Sequence, residues 1–152
     1  MKIVVDADAC PVKELIEKAA KKYQLEVIMI SNHHHVIQSD YARVVVVDGA
    51  SQSADIAITN ITKSGDIVVT QDYGLASMVL GKRALAISPN GNIYDNQNIE
   101  GLLMQRFVNY KARKAGLRIS GPRKRNPDDD RHFMLNLVML IEKNIESEND
   151  HH

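Results

Sequence analysis

Aspartates stand where predicted strands end in this sequence, and that placement suggests chemistry. Ile3-Val4-Val5 is a short β-branched run that delivers Asp6-Ala7-Asp8 at its carboxyl end. Ile67-Val68-Val69-Thr70 runs into Gln71-Asp72 in the same way. The run Val44-Val45-Val46-Val47 stops just before Asp48, and the helix expected after it opens near Asp55. In open parallel sheets, ligands bind in the crevice beyond the carboxyl ends of the strands. Crowded carboxylates repel one another and persist in one site when a cation neutralises them. Hard divalent cations such as Mg²⁺ or Mn²⁺ take oxygen ligands, supplied by carboxylates, water and substrate phosphate. Each acid taken alone reads instead as a helix cap or a turn residue. Their conjunction at strand ends is what points to a metal site.

Other residues could carry chemistry. Cys10 lies beside Asp8 at an expected helix N-terminus, which lowers a thiol pKa. The segment His33-His34-His35, after the strand Val27-Ile28-Met29-Ile30, could supply a base or bind Zn²⁺ or Ni²⁺. The alternatives are a small packed cysteine and a solvated histidine loop. Arg106 falls at the edge of an apolar helix face formed by Ile99, Leu102, Leu103, Phe107 and Tyr110. It is therefore expected to be partly buried and paired with a structural carboxylate or a substrate phosphate. Arg113, Lys114, Arg118, Arg123, Lys124 and Arg125 form a basic block with few aromatics. Such a block favours sequence-independent contact with a nucleic-acid backbone; the alternative is a solvated helix surface.

These side chains need a frame to position them. The chain has 152 residues, 44% hydrophobic and 25% charged, as expected of one globular domain. A lone cysteine excludes an internal disulfide, and no apolar run is long enough for a membrane helix. The N-terminus meets Asp6 too early for a signal peptide, so a cytoplasmic location is expected. Net charge is zero, yet nine of the nineteen Lys/Arg fall within 106–131 beside only three aspartates. A local field of that kind can steer a polyanion even in a neutral chain.

Strand-length apolar runs alternate with helical patterns, which predicts a parallel sheet of about five strands covered by helices on both faces. The strands are centred on 3–5, 27–30, 44–47, 67–70 and 84–87. Helices are expected after Pro11, over 54–63 and over 74–81, and Pro11 suits the first turn of its helix. Pro89-Asn90-Gly91 reads as a turn. Asn96 to Gly116 and Pro127 to Asn144 read as helices, so 96–145 forms a helical C-terminal extension within one domain spanning 1–152. Asp128 and Asp129 follow Asn126-Pro127, and so read as acids that complement a helix dipole.

Val5-Asp6-Ala7-Asp8-Ala9-Cys10-Pro11 and Gly65-Asp66-Ile67-Val68-Val69-Thr70-Gln71-Asp72-Tyr73-Gly74-Leu75-Ala76 together resemble the uncharacterised bacterial YaiI/YqxD family. Ser88-Pro89-Asn90-Gly91, Asn98-Ile99, Gly121-Pro122 and Asp130-Arg131-His132-Phe133 fit the same pattern. That family is similar to PIN-like domains, which are metal-dependent nucleases with acids clustered above a parallel sheet. The resemblance implies a PIN-like, Rossmann-like three-layer fold with Asp6, Asp8, Asp55 and Asp72 as catalytic metal ligands. It also implies that Asp130 and Arg131 tie their helix to the site. One position departs: the family commonly has Asp-x-Ala-Asp where this chain reads Gln52-Ser53-Ala54-Asp55.

The leading expectation is a Mg²⁺- or Mn²⁺-dependent nuclease acting on RNA or DNA. Arg106, Arg113, Lys114, Arg123, Lys124, Arg125 and Arg131 would bind phosphates. A phosphatase is the second reading, with Asp6 as nucleophile and Asp8 as acid/base. Cys10-Pro11 after the motif and the lack of an obvious downstream lysine count against it. The third reading is a nucleic-acid-binding module without turnover, which Gln52 keeps open.

Overall fold

A computed structural model describes residues 1–32, 37–49, 52–121 and 123–150. The elements in chain order are β1 (Lys2–Asp6), α1 (Lys13–Tyr23), β2 (Glu26–Asn32), β3 (Arg43–Val47), α2 (Ser53–Ile61) and β4 (Ile67–Val69). They continue with α3 (Tyr73–Gly81), β5 (Leu85–Ile87), β6 (Ile93–Tyr94), α4 (Ile99–Lys114) and α5 (Pro127–Asp150). Among the described residues one sheet holds every strand, in the order β3-β2-β1-β4-β5-β6. β1 pairs in parallel with β2 on one side and β4 on the other, with Val5 opposite Met29 and Val69. The chain therefore leaves β1 in one direction along the sheet and returns to its other side at β4. That reversal creates a crevice at the carboxyl ends of β1 and β4, where α/β sheets bind ligands.

Side chains alternate across the sheet, and this sorts the core into two halves. Ile3, Val5, Val27 and Met29 pack with Ile16, Ala19 and Ala20 of α1 and with Phe133, Leu137 and Ile141 of α5. Val4, Ile28, Ile30 and Val68 pack on the opposite face with Ile58 of α2 and Leu75, Ala76 and Val79 of α3. Ile99 at the start of α4 closes that second half. The result is a three-layer α/β fold. The helical region 96–145 is divided between the two faces, because α4 joins α3 while α5 lies against α1. No helix among the described residues is long and apolar enough to cross a membrane.

The sheet has six strands rather than five, and the sixth runs antiparallel. Ala86 faces Tyr94 and Ile87 faces Ile93 across the turn 88–92. Two residues are too few to show the alternation that marks a strand, so β6 left no periodic signal. Its turn was visible, and it is tightly built. The Gly91 N–H donates to the Ser88 carbonyl at 2.9 Å, and the Ser88 N–H donates to the Asn92 carbonyl at 2.9 Å. Gly91 has φ +91°, and a Cβ there would lie 2.8 Å from backbone atoms of His132 in α5. Gly91→Ala is expected to lower stability by about 2 kcal/mol or more, combining left-handed strain with displacement of α5. Gly81→Ala is the control, since a Cβ there meets nothing within 4 Å. Thermal melts of the two variants check this, and equal melting points would refute it.

Pro11 also stands differently from expectation. It lies in the turn before α1, which begins at Lys13 with Val12 as a cap residue that makes no side-chain bond.

Candidate functional site

Asp6 ends β1 with its carboxylate aimed into the crevice between β1 and β4. The buried Thr70 hydroxyl, just past β4, donates to Asp6 Oδ2 at 2.8 Å. The Thr70 Oγ1 in turn accepts the Asp72 N–H at 3.0 Å, so one threonine joins the two acids. Burial pushes the Asp6 carboxyl up to about 6; the Thr70 bond opposes this, and the negative charges of Asp55, Asp72 and Asp8 add to it. Asp55, in the first turn of α2, is also raised, by burial first and then by the charge of Asp72 and a hydrogen bond with it. The structure thus brings all four acids into electrostatic contact, two of them held toward the neutral form.

Further contacts position Asp72, Asp8 and Asp48. Asp72 caps α3, its Oδ1 accepting the N–H groups of Gly74 and Leu75 at 2.8 and 3.2 Å. Arg106 of α4 approaches the same oxygen at 3.5 Å. Asp8 accepts the Ser31 hydroxyl at 3.1 Å and the Asn32 N–H at 2.9 Å, which ties it to the end of β2. Asp48 is held by the Ser53 hydroxyl at the start of α2. The donor set is all oxygen, which suits Mg²⁺ or Mn²⁺ and not the softer metals. Among the described residues no three His, Cys, Asp or Glu side chains close on one point as a finished metal cage. Mg²⁺ does not require one, because it commonly takes one or two carboxylates and keeps its remaining positions for water and phosphate.

Beside the acids opens a groove of about 870 Å³, with Pro11, Gln71, Tyr73, Asn90, Arg125 and His132 among its walls. Gln71 and Tyr73 flank Asp72, so the groove and the acid cluster are continuous along the chain. Tyr94 supports the floor, its hydroxyl donating to the Thr70 carbonyl at 3.1 Å and its ring packed edge-on against Tyr73. α5 supports the wall: Asn136 Nδ2 donates to the Gly91 carbonyl at 2.7 Å, and His132 Nδ1 lies 2.8 Å from the Asn90 carbonyl oxygen.

The family model "Uncharacterized BCR, YaiI/YqxD family" matches residues 4–143. The chain belongs to the YaiI/YqxD family. It is 50% identical over 149 residues to the UPF0178 protein of Clostridium novyi (strain NT), covering 98% of this chain and 100% of that one. The UPF0178 protein of Clostridium tetani (strain Massachusetts / E88) is 50% identical over 143 residues, or 94% and 98% of the two chains. Among solved structures, Rae1 (YacP) from Bacillus subtilis is similar at 18% identity with a TM-score of 0.41, covering 92% of this chain and 91% of that chain. A likeness at that level leaves the fold to be read from the sheet order itself.

The basic residues of this YaiI/YqxD chain divide into two groups. Arg123 makes a two-pronged pair with Asp129 at 2.5 and 3.0 Å. Arg125 pairs with Asp130 at 2.6 Å and donates to Asn90 at 2.9 Å, bracing the groove. Arg131 pairs with Asp128 within the first turn of α5. Phosphate would have to compete with a carboxylate at all three. Arg113, Lys114 and Lys124 are exposed. Arg106 is paired with Asp72, and its side chain is 56% exposed. The reason lies in α4: only Ile99 is buried, and the helix runs past the domain edge, leaving Phe107 and Tyr110 in solvent.

The acids at the start of α5 also do more than complement its dipole. Asn126 Oδ1 accepts the N–H groups of Asp128 and Asp129, and Asp129 accepts the Asn126 N–H in return, a reciprocal capping box. Cys10 is buried and its thiol pKa is raised, chiefly by that burial, which is the reverse of thiolate activation. His33, His34 and His35 lie outside the described residues.

Sequence reasoning passed over Thr70, Ser31 and Tyr94. Thr70 carried a usable signal: a hydroxyl residue ending an apolar strand two positions before an acid.

Proposed function

We propose that this protein is a Mg²⁺- or Mn²⁺-dependent phosphodiesterase acting on nucleic acid. The observation that carries the reading is the half-buried Asp6 carboxyl at the β1/β4 crevice, bonded to the same Thr70 hydroxyl that holds the Asp72 backbone, with Asp55, Asp72 and Asp8 near enough to raise its pKa. A group held in that state is destabilised as an anion, and a divalent cation is the partner that relieves it. Asp6, Asp8, Asp55 and Asp72 would hold the cation. When bound, it would supply an activated water and neutralise charge on the phosphate under attack. Thr70 holds Asp6 at the crevice, and Ser31 and Asn32 fix Asp8 beside the end of β2. Arg106, exposed and only 3.5 Å from Asp72, is free to turn toward a substrate phosphate with little loss.

The test is cleavage of end-labelled RNA and DNA with and without Mn²⁺, using Asp72→Asn as the inactive control. We expect metal-dependent cleavage that falls by about three orders of magnitude or more in the variant, as for loss of a group central to transition-state charge stabilisation. Metal-independent cleavage, or full activity in Asp72→Asn, would defeat the proposal.

A binding module without turnover is the second reading, favoured by Gln52 and by the absence of a closed metal cage among the described residues. It predicts nucleic-acid binding with no heat of Mn²⁺ binding in calorimetry. The phosphatase reading is less well supported, since Asp8, its acid/base, is engaged with Ser31 and Asn32.

A further inference from the structure

The free end of α4 combines features that a solvated helix face lacks. From Gly101 to Pro127 the chain has no acidic residue, yet it carries Arg106, Lys111, Arg113, Lys114, Arg118, Arg123, Lys124 and Arg125. Within that stretch Phe107 is 55% exposed and Tyr110 56% exposed. Lys111 lies 5.5 Å from the Phe107 ring centre, and Lys114 lies 5.8 Å from that of Tyr110. Aromatic rings in solvent are costly for a monomer to keep without use. Rings interleaved with cations are the composition of a surface that stacks bases and tracks phosphates.

The placement is directional. Arg106, Tyr110 and Lys114 recur at every fourth residue, so they share one side of the helix about one turn apart. Arg106 touches Asp72 of the acid cluster. The same side of α4 therefore leads from the candidate site outward to Tyr110, with Phe107 and Arg113 flanking it. We propose that this end of α4 is a platform for an unpaired polynucleotide strand, with bases stacked on Tyr110 and Phe107 and phosphates held by Arg113 and Lys114. The proposal deepens the phosphodiesterase reading and rests on it only for what the strand is used for, not for its binding. Stacked duplex bases present no free ring face, so a single strand is the occupant. A second copy packed through this patch would set its cations against those of the first, which argues for a polyanion.

The test measures binding of labelled oligo(rU), oligo(dT) and duplex DNA, each about 12 nucleotides long, in EDTA so that no cleavage intervenes. We expect both single strands to bind alike, since rings and phosphates do not read the sugar, and the duplex to bind at least about tenfold more weakly. Phe107→Ala with Tyr110→Ala should weaken single-strand binding by about 30-fold or more, with the slope of affinity against salt unchanged. Arg113→Ala with Lys114→Ala should flatten that slope by about two. Tyr110→Phe, which keeps the ring, should bind as the unaltered protein does. All four positions tested are exposed, and equal melting points would confirm that each variant is folded.

Undiminished binding by the double aromatic variant, or equal binding of duplex, would overturn the platform. So would a chain that self-associates through the patch, seen as dimers in sedimentation that the aromatic variant abolishes while oligonucleotide binding persists. Intact stacking without any Mn²⁺-dependent cleavage would sink the phosphodiesterase reading and leave the platform standing.

Discussion

At pH 8 without divalent cations, Asp6→Asn is expected to be more stable than the unaltered protein by about 2–3 kcal/mol, a rise of about 5–10 °C in melting temperature. The Asp6 carboxyl is lifted from 3.8 to about 6 in the folded state, so folding favours its protonated form. Below 3.8 the group is protonated in both states and imposes no penalty. As pH rises from 3.8 through 6, the unfolded chain releases its proton first, and the folded state loses stability over that window. Above it the penalty is constant. Asparagine has no charge to lose, and its amide oxygen can still accept the Thr70 hydroxyl. The gap between the two proteins should therefore vanish near pH 4 and reach its plateau above pH 6. Mn²⁺ added at pH 8 should stabilise the unaltered protein and not the variant, because a ligand stabilises only the state that binds it. Melts across a pH series, with and without Mn²⁺, decide the matter. A variant less stable at pH 8, or a gap indifferent to pH, would show that Asp6 is not a strained carboxylate.

The parts of this site that were legible in the sequence share one property: their signal is local. Asp6 and Asp72 each end a β-branched run, and the spacing alone placed them at strand termini. That they meet requires β1 and β4 to be neighbours; the alternation of strands and helices gives a parallel sheet but no strand order, which the fold supplies. Thr70 shows where such reading stops. Its hydroxyl matters because it faces Asp6 from 64 positions away, and no window of sequence contains both.

α4 illustrates the opposite failure. Ile99, Leu102, Leu103, Phe107 and Tyr110 form a regular apolar stripe, and periodicity predicts that all five face the core. Periodicity reports a face, not how far the neighbouring layer extends. α3 is nine residues long and α4 sixteen, so the far end of the stripe has nothing to cover it. The basic block reads as poor in aromatics for the same reason, since periodicity places Phe107 and Tyr110 in the interior. Arg123 and Arg125 looked free because Asp129 and Asp130 read as dipole partners rather than as their counter-ions. Residues within six positions of one another were legible as helix chemistry and not as salt bridges across a loop.

Phe133→Ala should destabilise the protein by about 3–5 kcal/mol, the range for emptying a large aromatic site in a packed core. Phe133 is wholly buried and sits with Leu137 and Ile141 against Val5, Met29 and α1. Were α5 an appendage to a finished α/β body, truncation would let water in and cost under about 1 kcal/mol, as surface changes do. The packing says otherwise: this helix is one of the two that cover its face of the sheet. Leu135→Ala is the matched control, on the same helix but 69% exposed, and should be nearly neutral. Chemical denaturation of both variants checks the difference, with unchanged slope against denaturant showing that compactness is preserved. The consequence reaches the site. His132 and Asn136, on either side of Phe133, hold the turn 88–92, while Asp129 and Asp130 hold Arg123 and Arg125 at the groove. Loosening the anchor between them should therefore weaken binding of the proposed nucleic-acid substrate at temperatures where the protein remains folded. If Phe133→Ala instead leaves stability and binding intact, α5 is not the element that builds the groove wall.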